Sequence, residues 1–215
     1  MQKCRNRGNG HVENPVRGRP RSFDRTKALD TAMRAFWLNG YASTAISDLT
    51  AAMGIGATSL YAAFGSKEEL YTEALQRYRS LYEACVWSRF EAAETAREAV
   101  EALLMDTAYF VAQSSGDGDP LGCMTTHPVR DDNDNSALAL LMRSLREGMF
   151  ERVKERLSRA TRKGEISDAL DLDSFARFII TLQNGMSVQA RAGVGHKQLE
   201  EAAKMTMKGW PSWIG

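Results

Sequence analysis

A run of alternating arginines near the N-terminus has the composition of a nucleic-acid contact. Arg17, Arg19 and Arg21 are separated by Gly18 and Pro20. Glycine lets the backbone approach closely, so an extended Arg-Gly-Arg segment can line a narrow minor groove with guanidinium groups. A solvated basic tail, or one that contacts phosphates without sequence preference, has the same composition. The run therefore predicts a minor-groove arm only if a DNA-reading element follows it.

The segment from 57 to 64 has the side chains that a helix needs in the major groove. Such a helix must present small or polar residues outward while its inner residues pack on neighbouring helices. The predicted outer residues are Ala57, Thr58, Ser59, Ala62 and Ala63, and the predicted inner ones are Leu60 and Phe64. Thr58 and Ser59 are the candidates for contacts with base edges.

Three further polar side chains could contact phosphates. Tyr61 offers a hydroxyl on the same helix, and Lys67 stands near the start of the next one. Thr44 is predicted to cap a short helix at its N-terminus, where the partial positive charge of the helix attracts anions. Each residue also has a structural alternative, since Thr44 could be only a cap, Lys67 a solvated charge and Tyr61 part of the core.

Cys123 and His127 are the residues most suited to nucleophilic or metal chemistry. They are four residues apart on a presumed helix, which is not how a nucleophile and its base usually converge, and no orienting acid is evident. A metal- or thiol-responsive sensor using both residues, with Asp131 as a further ligand, stays an alternative. With Cys4 and Cys85 the cysteines are odd in number and widely spaced, which predicts reduced thiols.

Positive charge is concentrated at the N-terminal end of the 215-residue chain. Residues 1–34 carry nine Lys or Arg and three acidic residues, although the net charge of the whole chain is only +1. This distribution is typical of a nucleic-acid contact. No apolar run approaches the roughly 18 residues that span a bilayer, and no apolar signal-peptide region follows the N-terminal charges. We therefore expect a cytoplasmic protein.

The elements that must position these residues are predicted to be helices. Residues 1–22 lack an apolar period and predict a flexible basic arm. Apolar residues at helical spacing predict a helix from near Asp24 to a point before Gly40. A short helix then follows Thr44 and ends at Gly54, and a third short helix contains Leu60. Three short helices with a glycine turn between the last two predict a helix-turn-helix in residues 23–70.

Residues 71–215 are predicted to form a second, larger helical domain. A capping box at Ser66 to Glu69 opens a long helix. Further helices are predicted at roughly 94–114, 136–162, 173–192 and 196–209. No segment has the alternation of a β-strand, so the predicted fold class is all-α.

Residues 23–71 closely resemble the DNA-binding region of the TetR family of transcriptional regulators. The residues that carry the resemblance are, in order, Gly40-Tyr41, Thr44-Ala45-Ile46, Asp48-Leu49, Ala51 to Ile55, Ser59-Leu60-Tyr61, Phe64, Ser66-Lys67 and Leu70. The resemblance implies a phosphate contact for Tyr61, and basic arms like residues 17–21 precede the domain in some members. Gly56 and Ala57 depart from the family pattern, which predicts fewer direct hydrogen bonds to bases.

The same resemblance implies a function for the C-terminal helices. They would form a cavity for a small-molecule effector and give two helices to a homodimer interface, and the dimer would bind a palindromic operator as a repressor. No catalytic activity, cofactor or membrane partner is expected. An architectural DNA-binding protein without an effector is disfavoured by the long acidic helical half. The candidate effector contacts, each of which could instead be core, are Met105, Tyr109, Cys123, His127, Met142, Phe178 and Gln183.

Overall fold

The computed structural model describes residues 23–113, 119–127 and 136–214. Within these ranges the regular elements are helical and there is no β-strand, which confirms the all-α fold class. Arg17, Arg19, Arg21 and Asp131 lie outside the described residues. In chain order the helices are α1 (Arg25–Ser43), α2 (Ile46–Met53), α3 (Ala57–Phe64), α4 (Lys67–Tyr82), α5 (Ser88–Ala92), α6 (Ala96–Ala112), α7 (Ala137–Arg162), α8 (Leu172–Arg191) and α9 (His196–Ile214).

Helix α1 is longer than its sequence pattern predicts. It begins where the side chain of Asp24 accepts hydrogen bonds from the amides of Thr26 and Lys27, as a cap should. The predicted end before Gly40 is wrong, because helical backbone resumes after that residue and continues to Ser43. Gly40 is a kink with a φ of 78°, a conformation that glycine adopts without a Cβ clash.

Helices α2, α3 and α4 begin and end close to the positions that the sequence predicts. Gly54 ends α2 in the left-handed conformation, with a φ of 66°. The side chain of Ser66 accepts a hydrogen bond from the amide of Glu69 and caps α4. These local signals end α2 before the short helix α3 and begin α4 after it.

The C-terminal helices bury one core. Helix α4 continues through a π-helical turn at Glu83–Trp87 into α5, and α6 packs against both α8 and α9. Helix α9 runs to Ile214, beyond the predicted end at 209, and contains Pro211. It extends because Trp210 and Trp213 pack with ring centroids 5.6 and 5.8 Å from that of Phe175 on α8. Burial of these rings outweighs the loss of one backbone hydrogen bond at the proline.

Candidate nucleic-acid interface

Helix α3 has one buried and one exposed face. Leu60 and Phe64 are buried among the helices of the N-terminal unit, as their spacing predicts. Thr58 is exposed, Ser59 is half-buried, and Tyr61 has 47% of its surface exposed. The small side chains of Ala57 and Ala62 are also exposed, and Ala63 is half-buried. The exposed face is therefore narrow and flat enough to enter a major groove, with a few polar groups to contact it.

Arg25 at the start of α1 holds the C-terminal end of α3. Its guanidinium donates to the carbonyl oxygen of Ala63 at 3.3 Å and lies 4.4 Å from the ring centroid of Phe64. The same group forms an ion pair with Glu73 on α4, with Nη2 2.7 Å from Oε1. One side chain thus joins three helices. Sequence reasoning missed this role, because Arg25 counted only toward the basic N-terminal end.

Tyr61 is exposed on α3, and Lys67 lies at the start of α4, which follows α3 in the chain. Lys67 is the first residue of α4 and is half-buried, with its Nζ 4.4 Å from the ring centroid of Tyr41. This cation–π contact orients the ammonium group beside the N-terminus of α4. Neither position conflicts with the predicted contact to a phosphate, and both assignments remain predictions.

Thr44 does not cap α2 as the sequence predicts. Its hydroxyl is buried and donates to the carbonyl oxygen of Gly40 at 2.6 Å, while Ala45 occupies the cap position. The side chain of Asp48 accepts from the amide of Ala45 at 2.9 Å. Because α1 runs to Ser43, the carbonyl oxygen of Gly40 lies one helical turn before Thr44 and within reach of its hydroxyl, which explains the difference. A phosphate contact through this hydroxyl would require it to leave its buried position.

A short segment, residues 119–127, joins α1 to the C-terminal helices, and we call it the connecting segment. The indole Nε1 of Trp37 donates to the carbonyl oxygen of Gly122 at 3.0 Å, and Arg34 pairs with Asp119 at 2.6 Å. On the other side, Arg191 of α8 donates to the carbonyl oxygen of Cys123. The connecting segment thus contacts both α1 and the C-terminal helices.

His127 ends the connecting segment and packs on the kink of α1. Its Nε2 lies 2.9 Å from the carbonyl oxygen of Trp37, and its ring lies against Gly40. Burial, followed by the nearby charge of Arg191, lowers the pKa of this imidazole below its usual value. Arg146 of α7 donates to the carbonyl oxygen of His127 at 3.0 Å. His127 therefore lies between α1 and α7, and its contact with an effector stays a prediction.

Cys123 and His127 do not share a helix, because a 3-10 turn at Met124–Thr126 separates them. The thiol of Cys123 is buried and accepts a hydrogen bond from the hydroxyl of Tyr78, with oxygen and sulfur 3.0 Å apart. Within the described ranges no three His, Cys, Asp or Glu side chains are grouped as metal ligands would be. The side chains of Cys123 and His127 contact different partners, which are Tyr78 and Trp37 respectively.

The remaining effector candidates are not brought to one place. Gln183 is buried on α8 and bonds to Tyr82, whose ring stacks on that of Tyr78 at 5.7 Å. Phe178 is 42% exposed and packs on Trp213 instead. The positions of the other candidates are separate: Met142 is buried in the core, Met105 is half-buried against it, and Tyr109 contacts the ring of His196 edge-on at 5.5 Å. Cys123 and Gln183 are thus linked through two tyrosines, and Phe178 is not part of that group.

Fold and site together define a helix-turn-helix DNA-binding protein with an all-helical C-terminal domain. Residues 28–74 match the family model for bacterial regulatory proteins of the tetR family. The chain is 35% identical over 202 residues to the HTH-type transcriptional repressor ComR of Escherichia coli K12, covering 92% of this chain and 94% of that protein. The chain belongs to the TetR family of transcriptional regulators, which are not enzymes.

A solved structure resembles the whole fold. It is a cysteine mutant of the TetR family transcriptional regulator CifR in complex with a 26 bp double-strand operator DNA. The TM-score is 0.81 at 33% identity, and the match covers 90% of this chain and all of that one. A shorter match, at 40% identity over 63 residues, is to the HTH-type transcriptional repressor BdcR of Escherichia coli K12. No helix in the described part of the chain is long and apolar enough to cross a membrane.

Proposed function

We propose that the protein is a transcriptional repressor that binds a palindromic operator as a homodimer and is released by a small-molecule effector. The observation that carries the proposal is helix α3, which exposes Thr58 and Tyr61 on a frame of buried Leu60 and Phe64. Repression is supported by ComR, which is a repressor, and operator binding by CifR, whose structure contains operator DNA.

The experiment that tests this function is selection of bound sequences from random double-stranded DNA, followed by footprinting. We expect an enriched palindrome whose half-sites lie about one helical turn apart or a multiple of it. Enrichment of a single short half-site, or of no sequence at all, would contradict the proposal.

A homodimer is supported by apolar side chains exposed on α8 and α9. Val188 and Met205 have 57% and 66% of their surface exposed, which a partner helix pair would cover. We predict that Val188→Glu shifts the protein from dimer to monomer in light scattering and weakens operator binding, because a charge would be buried against the partner. Leu140→Glu is the matched control, since Leu140 is 52% exposed but lies on α7. A Val188→Glu variant that stays dimeric like the control would place the interface elsewhere, and a Leu140→Glu variant that becomes monomeric as well would show that the effect is not specific to α8.

Lys67 and Tyr61 are proposed to bind phosphates. Lys67→Ala should then weaken all operators nearly alike and reduce the dependence of log affinity on log salt by about one unit. Tyr61→Phe should weaken binding without changing this slope, because the hydroxyl is uncharged. The measurement is a salt titration of binding to two operators of different sequence.

In contrast, Thr58→Ala and Ser59→Ala should change the preferred bases. A change of base preference in Lys67→Ala would contradict its assignment.

The basic arm is proposed to enter the minor groove beside each half-site. Exchange of flanking A·T pairs for G·C places guanine amino groups in that groove, and we expect a loss of about 1–3 kcal/mol in operator binding by the full chain. A chain without residues 1–21 should be nearly indifferent to the exchange, because it lacks Arg17, Arg19 and Arg21. Equal sensitivity of both chains in a binding titration would show that the arm does not read the groove.

Release by an effector is supported by the way in which the connecting segment joins the two units. Any ligand that moves Cys123 or Ser187 would also move Gly122 and, through its hydrogen bond, Trp37 of α1. The position of α1 in turn sets the position of α3 through Arg25. The domain division at residue 70 and the effector contacts remain part of this proposal.

A further inference from the structure

Gln183 places a carboxamide in the interior of the C-terminal domain with one end unpaired. Its Nε2 donates to the hydroxyl groups of Tyr82 and Thr107, both at 3.1 Å. Its Oε1 is buried and has no hydrogen-bond partner among the described residues. The two hydroxyl groups could also donate to the oxygen of a rotated amide, but the nitrogen would then be the unpaired end. In either orientation one polar end of Gln183 lacks a partner.

The amide pairs with two uncharged hydroxyl groups, and the tyrosine among them belongs to a cluster of aromatic rings. The ring of Tyr82 contacts that of Phe110 with centroids 5.2 Å apart and stacks on that of Tyr78. None of the hydrogen bonds that Gln183 makes in the described structure involves a charged side chain. Burial raises the pKa of Tyr78 and of Tyr82 well above the usual value, so the environment disfavours charge of either sign on a group placed there.

We propose that the effector site is centred on Gln183 and takes a small, uncharged aromatic molecule that carries one hydrogen-bonding group. This inference rests on the proposed function, because it names the ligand class of a regulator released by an effector. The polar group of the ligand pairs with the free end of the amide. Its ring takes the place of the contact between Tyr82 and Phe110, because the hydroxyl of Tyr82 pairs with the amide and the ring of Tyr82 packs on that of Phe110.

Binding at this site acts directly on α1. The ring of Phe110 lies nearly parallel to that of Trp37, with an interplanar angle of 8° and centroids 5.8 Å apart. A ligand that displaces Phe110 removes one side of the packing of the Trp37 ring. The indole N–H of Trp37 still donates to the connecting segment. The site therefore contacts, through one aromatic ring, the helix that positions α3.

The test uses three probes that share one ring and differ in one group: phenol, toluene and benzoate. Binding to the full chain without DNA is measured by calorimetry and by the shift in thermal unfolding. We expect phenol to bind, because its hydroxyl can pair with either end of the amide. Toluene should bind about tenfold more weakly, since it leaves the amide unpaired. Benzoate should not bind in the same concentration range, because its charge would be buried without a partner.

Gln183→Met separates this site from unspecific binding. Methionine has a similar volume without the amide, so the variant should bind phenol about tenfold more weakly and no better than toluene. Gln76→Met is the matched control on the exposed surface of α4 and should leave all three affinities unchanged. If Gln183→Met does not fold, Gln183→Asn gives the same comparison, because it keeps the amide but withdraws it by one methylene.

Equal binding of phenol and toluene, unchanged phenol binding in the Gln183 variant, or no binding of any probe would overturn the inference. The unpaired end of the amide would then hold only a buried water. Operator binding by the protein without probes is measured separately. If it is intact while the probes fail, the site is wrong and the proposed function stands, whereas loss of sequence-specific operator binding rejects the proposed function whatever the probes do.

Discussion

Replacement of Gly122 by alanine is expected to destabilise the protein by about 2–5 kcal/mol. Gly122 has a φ of 79°, which is strained for a residue with a Cβ. An added Cβ would also lie 2.8 Å from Cγ of Arg191 and 2.9 Å from the carbonyl oxygen of Ser187. The side chain can move but the backbone oxygen cannot move freely, so the connecting segment must shift. Urea unfolding with an unchanged slope measures the loss.

Gly164→Ala is the matched control for the backbone strain alone. Gly164 has a φ of 74°, and nothing lies within 4 Å of the position that its Cβ would take. The control should lose only about 1–2 kcal/mol. Gly122→Ala should also weaken operator binding, because the carbonyl oxygen that accepts from Trp37 moves with it. If both variants lose the same stability, the connecting segment has more room than the distances around Gly122 indicate.

The second large effect is expected for Arg25→Ala, which should weaken operator binding at least tenfold. The change removes the hydrogen bond to the carbonyl oxygen of Ala63, the contact with the ring of Phe64 and the ion pair with Glu73. Together these are worth on the order of 2 kcal/mol, since the ion pair is partly exposed and contributes less than about 1 kcal/mol. Without them the C-terminal end of α3 loses its fixed position in the groove.

Arg77→Ala controls for the loss of an ion pair between α1 and α4. Arg77 pairs with Asp30 at 2.8 Å with similar exposure, but no contact with α3 is found among its hydrogen bonds. The Arg77→Ala substitution should lower the free energy of unfolding slightly and leave the operator affinity nearly unchanged. A salt titration gives the deciding readout: a positioning role for Arg25 leaves the salt slope unchanged, whereas a slope reduced by about one unit would mean that Arg25 itself binds a phosphate.

The N-terminal unit could be predicted from the sequence because its signals are local. The spacing of Leu60 and Phe64 defines the buried face of α3, and Gly54 and Ser66 mark helix ends within a few residues of the positions they affect. Thr44 shows the limit of this reasoning. A threonine before a helix favours the cap position, but the carbonyl oxygen of Gly40, four residues earlier, offers its hydroxyl a different acceptor.

The contacts of the connecting segment could not be predicted, because they join residues far apart in the chain. Trp37 and Gly122 are 85 residues apart, and neither has a neighbour in sequence that indicates the other. Residue type alone indicates the effector candidates, and residue type cannot tell which face of a helix is buried. Gln183 and Phe178 lie on the same helix, yet one is buried and the other exposed. The positive φ at Gly122 and the unpaired end of the Gln183 amide depend on contacts with residues distant in the chain, which the sequence around them does not indicate.

The hydrogen bond between Trp37 and Gly122 limits how regulators of this kind can be recombined. A chimera that joins residues 23–70 to a foreign sensing domain would keep Trp37 but lose its acceptor and the ring of Phe110 that covers it. An indole that is 2% exposed here would then meet solvent or an unrelated surface. Exchange of DNA specificity is therefore better made by transplanting the outward side chains of α3 alone, which leaves every contact of α1 in place.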